Sequence, residues 1–123
     1  MSGQRIIIVN DEVDFVKMLV SNLEIYGYKP EGCTTPRQVL NRIKKSTYDM
    51  VLVDFKMPKM NGGKLIKEIQ AIDQACKFII LTGFSVEGEI REIMETNPNV
   101  RACLQKPFDM QNLVDEIENN FRN

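Results

Sequence analysis

The stretch Met50–Pro58, MVLVDFKMP, contains a short apolar run that ends at an acid. The run has the length and the bulky, β-branched residues of a strand, and Asp54 leads into a Met-Pro turn, not into a helix that would need a cap. Three other apolar runs also end in polar groups: Ile6–Val9 leads to Asn10-Asp11-Glu12, Phe78–Leu81 to Thr82, and Val100–Leu104 to Lys106-Pro107. Because parallel strands deliver whatever follows them to one edge of the sheet, we expect these polar groups to meet in space.

Strands and helices alternate along the whole chain. The predicted strands are Ile6–Val9, Tyr28–Cys33, Met50–Val53, Phe78–Leu81 and Val100–Leu104. Apolar residues recur at helical spacing after each strand, within residues 13–23, 39–43, 65–69, 86–94 and 110–121. Thr35–Gln38 is a capping-box start, and Ser85 and Asp109 are predicted N-caps of the last two helices. The alternation predicts an α/β, doubly wound three-layer sandwich, with five parallel strands, right-handed crossovers and five helices.

The order of the strands has its own signals. Pro30 cannot donate a ladder hydrogen bond, which predicts that the second strand lies at an edge. Arg101 and Gln105 make the last strand the least apolar, as expected for the other edge. Both features favour the order 2-1-3-4-5, the flavodoxin-like arrangement, in which the ligand crevice opens beside Asp11 and Asp54.

Composition limits the classes of function. With 123 residues, 43% of them hydrophobic, the chain is expected to form a single domain over residues 1–123, with no effector domain. Sixteen basic and 17 acidic residues give a net charge of −1, which provides no positive field for nucleic acid or an anionic membrane. Because the sequence has neither a signal peptide nor a membrane-spanning run, we expect a cytoplasmic location. Cys33, Cys76 and Cys103 lack CxxC spacing and there is no histidine, which predicts reduced, mostly buried thiols and no zinc site.

The acids at the strand ends predict a site for a small divalent cation. Carboxylates crowded at one edge repel one another, and Mg²⁺, which takes oxygen ligands at about 2.0–2.1 Å, relieves that repulsion. The candidate ligands all supply oxygen: Asp11 and Asp54 directly, the main-chain carbonyl of Lys56, and Asn10 and Glu12 through water. With the cation bound, a phosphoryl donor can approach the second oxygen of Asp54, while Thr82 and Lys106 share the incoming charge. Asp54 is therefore a candidate nucleophile.

Four motifs in chain order resemble those of the receiver domains of two-component response regulators, the CheY-like superfamily. They lie at the ends of four of the predicted strands: Ile8-Val9-Asn10-Asp11-Glu12, Val53 to Gly62, Leu81-Thr82-Gly83 and Lys106-Pro107-Phe108. The resemblance covers essentially the whole chain. It implies that Asp54 accepts a phosphoryl group, that Asp11 holds Mg²⁺, and that Thr82 and Lys106 bind the phosphoryl oxygens. It also implies a cis peptide bond between Lys106 and Pro107.

The same resemblance implies the partners of the chain. A sensor histidine kinase, a phosphotransfer protein or a small phosphodonor would supply the phosphoryl group. A downstream protein or effector domain would then contact the face formed by the fourth helix, fifth strand and fifth helix. The implied role is a phosphorylation-dependent switch, not an enzyme acting on other molecules, and no direct contact with nucleic acid or membrane is expected.

Two residues depart from the family pattern. Asn10 stands where the first acid of an Asp-Asp pair is usual, which removes one negative charge and predicts weaker Mg²⁺ binding. Its carbonyl oxygen can still bind a coordinated water. Cys103 stands where the family commonly has Tyr or Phe, an aromatic lever that turns inward when the threonine moves toward the phosphoryl group. A thiol is too small to act in this way.

Other classes compete with the switch. A pseudo-receiver scaffold that is never phosphorylated is favoured by Asn10 and Cys103 but disfavoured by the intact Asp54, Thr82 and Lys106. A phosphatase of the haloacid dehalogenase type needs a second Asp two positions after its nucleophile, where this sequence has Lys56. A flavodoxin-like nucleotide binder is weaker still, because the first loop carries acids where a phosphate needs amide donors and glycine.

Overall fold

The computed structural model describes residues 4–83 and 88–121, which alternate between strands and helices from end to end. The elements are β1 (Ile6–Val9), α1 (Val13–Ile25), β2 (Glu31–Cys33), α2 (Pro36–Lys45), β3 (Met50–Asp54), α3 (Gly62–Ile72), β4 (Lys77–Thr82), α4 (Glu89–Thr96), β5 (Val100–Gln105) and α5 (Met110–Phe121). None of the helices in this described part of the chain is long and apolar enough to cross a membrane.

All five strands belong to one parallel sheet, in the order β2-β1-β3-β4-β5. The predicted fold class and strand order are therefore confirmed. β2 lies at an edge, as Pro30 predicts, but it begins at Glu31 and is shorter than the predicted Tyr28–Cys33. The reason is the same proline, because a residue without an N–H cannot extend the hydrogen-bonded ladder.

Two apolar cores lie on opposite faces of the sheet and give the three predicted layers. Successive side chains of β3 enter different cores, since strand residues alternate between faces. Val51 and Val53 pack with α2, α3 and α4, whereas Met50 and Leu52 pack with α1 and α5. β3 is buried over its whole length, as expected for the central strand of a sheet covered on both faces.

The start of α2 follows the predicted capping box. Thr35 Oγ1 accepts a hydrogen bond from the N–H of Gln38 at 3.2 Å, and Gln38 Oε1 accepts one from the N–H of Thr35 at 3.3 Å. α5 begins directly after Asp109, whose carbonyl oxygen accepts a hydrogen bond from the N–H of Leu113 at 3.3 Å. These two helices therefore begin where the sequence predicts.

The predicted start of α4 lies partly outside the described residues. Ser85, its predicted N-cap, and the apolar residue at 86 lie outside the described residues. In the described part the helix begins at Glu89, after Gly88, whose φ of 57° lies in the left-handed region that suits glycine.

A bulge in β5 changes which face its residues occupy. Phe78 pairs with Val100, but the next residue of β4 pairs with Ala102, so Arg101 is an extra, exposed residue. As a result Val100 and Cys103 pack into the same core, although three positions separate them. Because of the bulge, the side chain of Cys103 lies on the face of the sheet that α4 covers.

The three cysteines are free thiols. Cys33 and Cys76 are buried and Cys103 is half-buried, which confirms that the thiols are mostly buried. Burial raises the pKa of Cys76 to about 12 and that of Cys103 to about 11. Such thiols are mostly protonated at neutral pH and therefore poor nucleophiles.

Candidate functional site

Asp54 is the last residue of β3 and lies at the carboxyl edge of the sheet, with only 7% of its surface exposed. The loop that follows is tied to the neighbouring strand by a hydrogen bond from the N–H of Phe55 to the carbonyl oxygen of Leu81, at 2.9 Å. The loop then folds back, because the N–H of Gly62 donates to the carbonyl oxygen of Phe55 at 2.6 Å. A Cβ at Gly62 would lie 3.0 Å from the Cα of Phe55, so glycine makes this close return without displacing the backbone of Phe55.

Lys106 reaches Asp54 from the end of β5. Its Nζ donates a hydrogen bond to Asp54 Oδ1 at 2.9 Å, which joins two residues that are 52 positions apart in the chain. The main-chain N–H of Lys106 donates to the carbonyl oxygen of Thr82 at 2.6 Å and holds the loop against the end of β4. The Lys106–Pro107 peptide bond is cis, as the resemblance implies.

Thr82 is the last residue of β4 and is 1% exposed. In the register of the sheet it comes one residue after Leu81, which is the partner of Asp54. The structure therefore brings Asp54, Thr82 and Lys106 to the ends of three neighbouring strands. That is the arrangement expected for groups that follow parallel strands.

The loop after β1 contributes the remaining predicted residues. Asn10 is 1% exposed, and its Oδ1 accepts a hydrogen bond from the N–H of Glu12 at 2.8 Å. Its Nδ2 is buried without a hydrogen-bond partner among the described residues. Asp11 and Glu12 are exposed. The loop therefore presents two carboxylates to solvent and keeps the amide inside.

The electrostatic balance at Asp54 reflects all of these neighbours. Burial raises the pKa of the Asp54 carboxyl above its ordinary value of 3.8. The ammonium of Lys106 acts in the opposite direction, while the carboxylates of Asp11 and Glu12 raise the pKa further. The net direction is upward because burial, the largest effect, outweighs the favourable contact with Lys106.

The oxygen donors at this edge fit a hydrated Mg²⁺ ion. Within residues 4–83 and 88–121 no three His, Cys, Asp or Glu side chains form a compact metal cluster. Asp54, Asp11 and Glu12 nevertheless act on one another through space, and oxygen donors of this kind suit a cation that keeps several of its waters. The buried amide nitrogen of Asn10 cannot be a ligand, so any contribution of this side chain must come from its oxygen. Lys56, whose carbonyl is the third predicted ligand, comes two residues after Asp54.

Sequence reasoning missed one residue of this site. Phe15, in the first turn of α1, lies under the side chain of Lys106, with the ring centroid 4.3 Å from Nζ. The sequence gives only a weak indication that Phe15 belongs to the site. It is an aromatic residue shortly after the acidic loop, and it lies outside the buried stripe of α1, which consists of Val16, Leu19 and Leu23. Only the folded chain shows which side chain it meets.

Comparison with known proteins identifies the family. The model of the response regulator receiver domain matches residues 6–118. The chain belongs to this family. It is therefore a receiver domain of two-component signalling, and receiver domains are signalling proteins that generally bind Mg²⁺ at their phosphorylation site.

Two relatives illustrate the range of proteins that contain such a domain. The response regulator receiver protein CpdR of Brucella abortus is 30% identical over 120 residues, which cover 94% of each chain. The transcriptional regulatory protein ZraR of Escherichia coli is 30% identical over 113 residues, which cover 92% of this chain and 25% of ZraR. The chain thus spans a quarter of the length of that relative.

A solved structure supports the same fold. The CheY-like receiver domain protein of Methanospirillum hungatei superposes with a TM-score of 0.84 at 26% identity, covering 95% of this chain and 92% of that one. The predicted receiver family is thereby confirmed by sequence and by structure.

Proposed function

We propose that Asp54 accepts a phosphoryl group in an Mg²⁺-dependent reaction, and that this modification changes the partner-binding surface of the domain. The observation that supports the proposal most directly is the 2.9 Å contact between Lys106 Nζ and Asp54 Oδ1. A carboxylate beside a fixed ammonium can take up a phosphoryl group while the developing charge is balanced. The proposed donors are a sensor histidine kinase, a phosphotransfer protein and a small phosphodonor such as acetyl phosphate.

The protein side chains have distinct parts in this transfer. An oxygen of Asp54 attacks phosphorus, and an oxygen–phosphorus bond forms as the bond between phosphorus and the donor breaks. The ammonium of Lys106 offsets charge on the phosphoryl oxygens, and the hydroxyl of Thr82 donates a hydrogen bond to one of them. Neither group needs to change its protonation state, so both act by position and charge.

The cation would be held by residues of two loops: Asp11, Asp54 and the main-chain carbonyl of Lys56 directly, and Asn10 and Glu12 through water. When bound, Mg²⁺ neutralises part of the charge of the carboxylates and of the incoming phosphoryl group. Burial is the main reason that the pKa of Asp54 is raised, and the nearby carboxylates of Asp11 and Glu12 add to it; their repulsion is what a cation at this place would relieve. Asn10 supplies one negative charge fewer than the usual acid, so we propose that binding is weaker than is common in the family.

Two other functions are less well supported. A pseudo-receiver that is never phosphorylated agrees with Asn10 and Cys103, but not with a lysine that already contacts the buried carboxylate of Asp54. A phosphatase acting on other molecules would need an acid at the position of Lys56. We therefore propose that the chemistry of the domain is limited to phosphorylation and dephosphorylation of its own Asp54.

The remaining proposals concern the context of the domain. Residues 1–123 are proposed to act as a single receiver domain in the cytoplasm. The output would pass to a downstream protein or effector domain through the face formed by α4, β5 and α5. The net charge of −1 supports contact with proteins and not with nucleic acid or membrane.

Incubation with Mg²⁺ and acetyl phosphate, followed by intact-protein mass spectrometry, tests the proposal. We expect the wild type to gain the mass of one phosphoryl group, the Asp54→Asn variant to gain none, and the Asp115→Asn variant to behave as the wild type. Asp115 is an exposed acid on α5 and serves as the matched control. A gain of mass that survives Asp54→Asn would remove Asp54 from its role. A wild type that gains none, with either acetyl phosphate or a histidine kinase, would favour the pseudo-receiver.

A further inference from the structure

We infer that Phe15 is a positioning residue for Lys106, and that its ring holds the ammonium where the phosphoryl group arrives. This inference rests on the proposed function of Asp54. The same nitrogen makes both contacts, since Lys106 Nζ lies 2.9 Å from Asp54 Oδ1 and 4.3 Å from the centroid of the Phe15 ring. A cation over an aromatic face at this distance is attracted by the ring quadrupole.

The ring of Phe15 is well placed to define a position. Phe15 is the third residue of α1, is half-buried, and packs against the core between the sheet and the α1–α5 layer. The lysine side chain, by contrast, is a flexible four-carbon stem whose ammonium prefers to be hydrated. The Lys106 side chain is nonetheless only 23% exposed. A fixed ring on one side and a buried carboxylate on the other explain why it stays out of solvent.

The two contacts of Lys106 respond differently to phosphorylation. When Asp54 becomes an acyl phosphate, the negative charge that attracts Lys106 passes from the carboxylate to the phosphoryl oxygens. The ring of Phe15 does not depend on that charge, so it continues to hold the ammonium near the new phosphoryl oxygens. Phe15 thus stabilises the phosphorylated state and the transition state that leads to it, without touching the reacting atoms.

The competing explanation is that Phe15 serves only to fill space. It lines a surface cleft of about 370 Å³ together with Met18, Phe108 and Met110, so apolar packing alone could explain its presence. Substitutions separate the two roles. Phe15→Leu and Phe15→Met keep an apolar side chain and remove the ring, Phe15→Tyr keeps the ring, and Met18→Leu changes another wall of the same cleft.

The rate of phosphorylation by acetyl phosphate with Mg²⁺ is the first measurement. We expect Phe15→Leu and Phe15→Met to slow it by about two- to fivefold, the range that corresponds to a partly exposed cation–π contact. Phe15→Tyr and Met18→Leu should remain close to the wild type. In a Lys106→Met background, Phe15→Leu should have no further effect, because there is no ammonium left to position. An equal slowing in that background, or wild-type rates in both ring-deleting variants, would overturn the inference.

A second measurement does not require phosphorylation. In the NMR spectrum of the wild type, the ring current of Phe15 should shift the Lys106 Hε protons upfield, and Phe15→Leu should abolish the shift. An unshifted Lys106 in the wild type would overturn the inference even if no phosphoryl group is ever taken up. If the Lys106 Hε protons are shifted but the protein takes up no phosphoryl group, the contact with Phe15 is present and the proposed function is wrong.

Discussion

Asn10 is the residue at which this site departs most from a fully acidic receiver. It is buried beside the acidic loop, its oxygen already accepts the N–H of Glu12, and its Nδ2 has no partner within the described residues. An aspartate here would replace a buried donor without a partner by a second oxygen. The identity of this one atom therefore controls how much negative charge the proposed cation would meet.

Asn10→Asp should tighten Mg²⁺ binding by about tenfold, because a full negative charge is added close to the cation in a partly desolvated place. The same substitution should lower stability without Mg²⁺, since the new charge repels Asp11, Glu12 and Asp54. Calorimetric titration and thermal unfolding with and without Mg²⁺ measure both effects. Asn119→Asp, which adds the same charge at an exposed position of α5, is the control. An unchanged Mg²⁺ affinity in Asn10→Asp would remove residue 10 from the cation site.

Asp54 should make the stability of the metal-free protein depend on pH. Its pKa in the folded state is raised by burial and by Asp11 and Glu12, against the opposing effect of Lys106. A raised carboxyl pKa means that the folded state binds more protons than the unfolded state. Stability therefore falls as pH rises from the ordinary pKa of 3.8 through the raised value, and is constant above it.

Asp54→Asn should consequently be more stable than the wild type at pH 7 in the presence of a chelator. The difference should shrink as pH falls through the raised pKa, because the wild-type carboxyl then becomes neutral as well. Urea unfolding at a series of pH values between about 4 and 8 measures it. A difference that grows toward low pH would mean that the folded-state pKa is lowered. Asp115→Asn, which removes an exposed acid, is the control for the effect of the substitution on stability.

At the scale of the elements, the sequence predicted the features of the fold that depend on residues close together in the chain. The strands and the meeting of Asp54 with Lys106 follow from apolar runs and their polar ends. The strand order follows from Pro30 and the polar residues of β5, and the start of α2 from its capping box. The bulge at Arg101 does not follow from such features, because it depends on how β5 pairs with β4. The ring of Phe15 under Lys106 likewise depends on the approach of α1 to the loop after β5.

The pairing of α3 with the end of α4 is another contact that no local pattern reveals. Gln70 Nε2 donates to Asn97 Oδ1 at 3.0 Å, and Asn97 Nδ2 donates back to Gln70 Oε1 at 2.9 Å. Both amides are partly buried and 27 residues apart. The reciprocal pair fixes the carboxyl end of α4, because Asn97 directly follows the last residue of this helix.

Gln70→Ala and Asn97→Ala should each lower the free energy of unfolding by about 1–2 kcal/mol, since each breaks the reciprocal pair. Asn97→Ala should cost more, because Asn97 Oδ1 also accepts a hydrogen bond from the N–H of Asn99 at 3.2 Å. The double variant should lose less than the sum of the two, which a double-mutant cycle in urea reports as a coupling energy. Gln74→Ala, at an exposed glutamine of the same region, should change stability little. Strict additivity of Gln70→Ala and Asn97→Ala would show that the two amides act independently.

At the scale of the whole molecule, β4 and β5 connect the proposed phosphorylation site, at the carboxyl edge of the sheet, with the α4 side that would carry the output. Thr82 ends β4, and Cys103 pairs with Ile80 two residues earlier on the neighbouring strand. Cys103 packs into the core on the α4 side and is half-buried. A movement of Thr82 toward a phosphoryl group would therefore take place two residues along the sheet from Cys103, the thiol that replaces the usual aromatic side chain.

The alkylation rate of Cys103 should report this movement. Burial raises the pKa of Cys103 to about 11, so the thiol reacts slowly at pH 8 in the free protein. When Mg²⁺ and beryllofluoride mimic the phosphoryl group, Thr82 should turn toward it and draw away from the α4 side. A cysteine is too small to fill the space left behind, so iodoacetamide should reach Cys103 several-fold faster. Mass spectrometry of peptides from the labelled protein measures the rate at each thiol.

The other two cysteines provide internal controls for that measurement. Cys33 and Cys76 are buried, and the pKa of Cys76 is raised to about 12, so neither should label faster unless the whole domain unfolds. Asp54→Asn, treated with the same reagents, should show no change at Cys103. If Cys103 in the wild type labels at the same rate while beryllofluoride raises the unfolding temperature, the anion is bound but the α4 side does not respond. The replacement of the aromatic lever by a thiol would then have disconnected phosphorylation from that face of the domain.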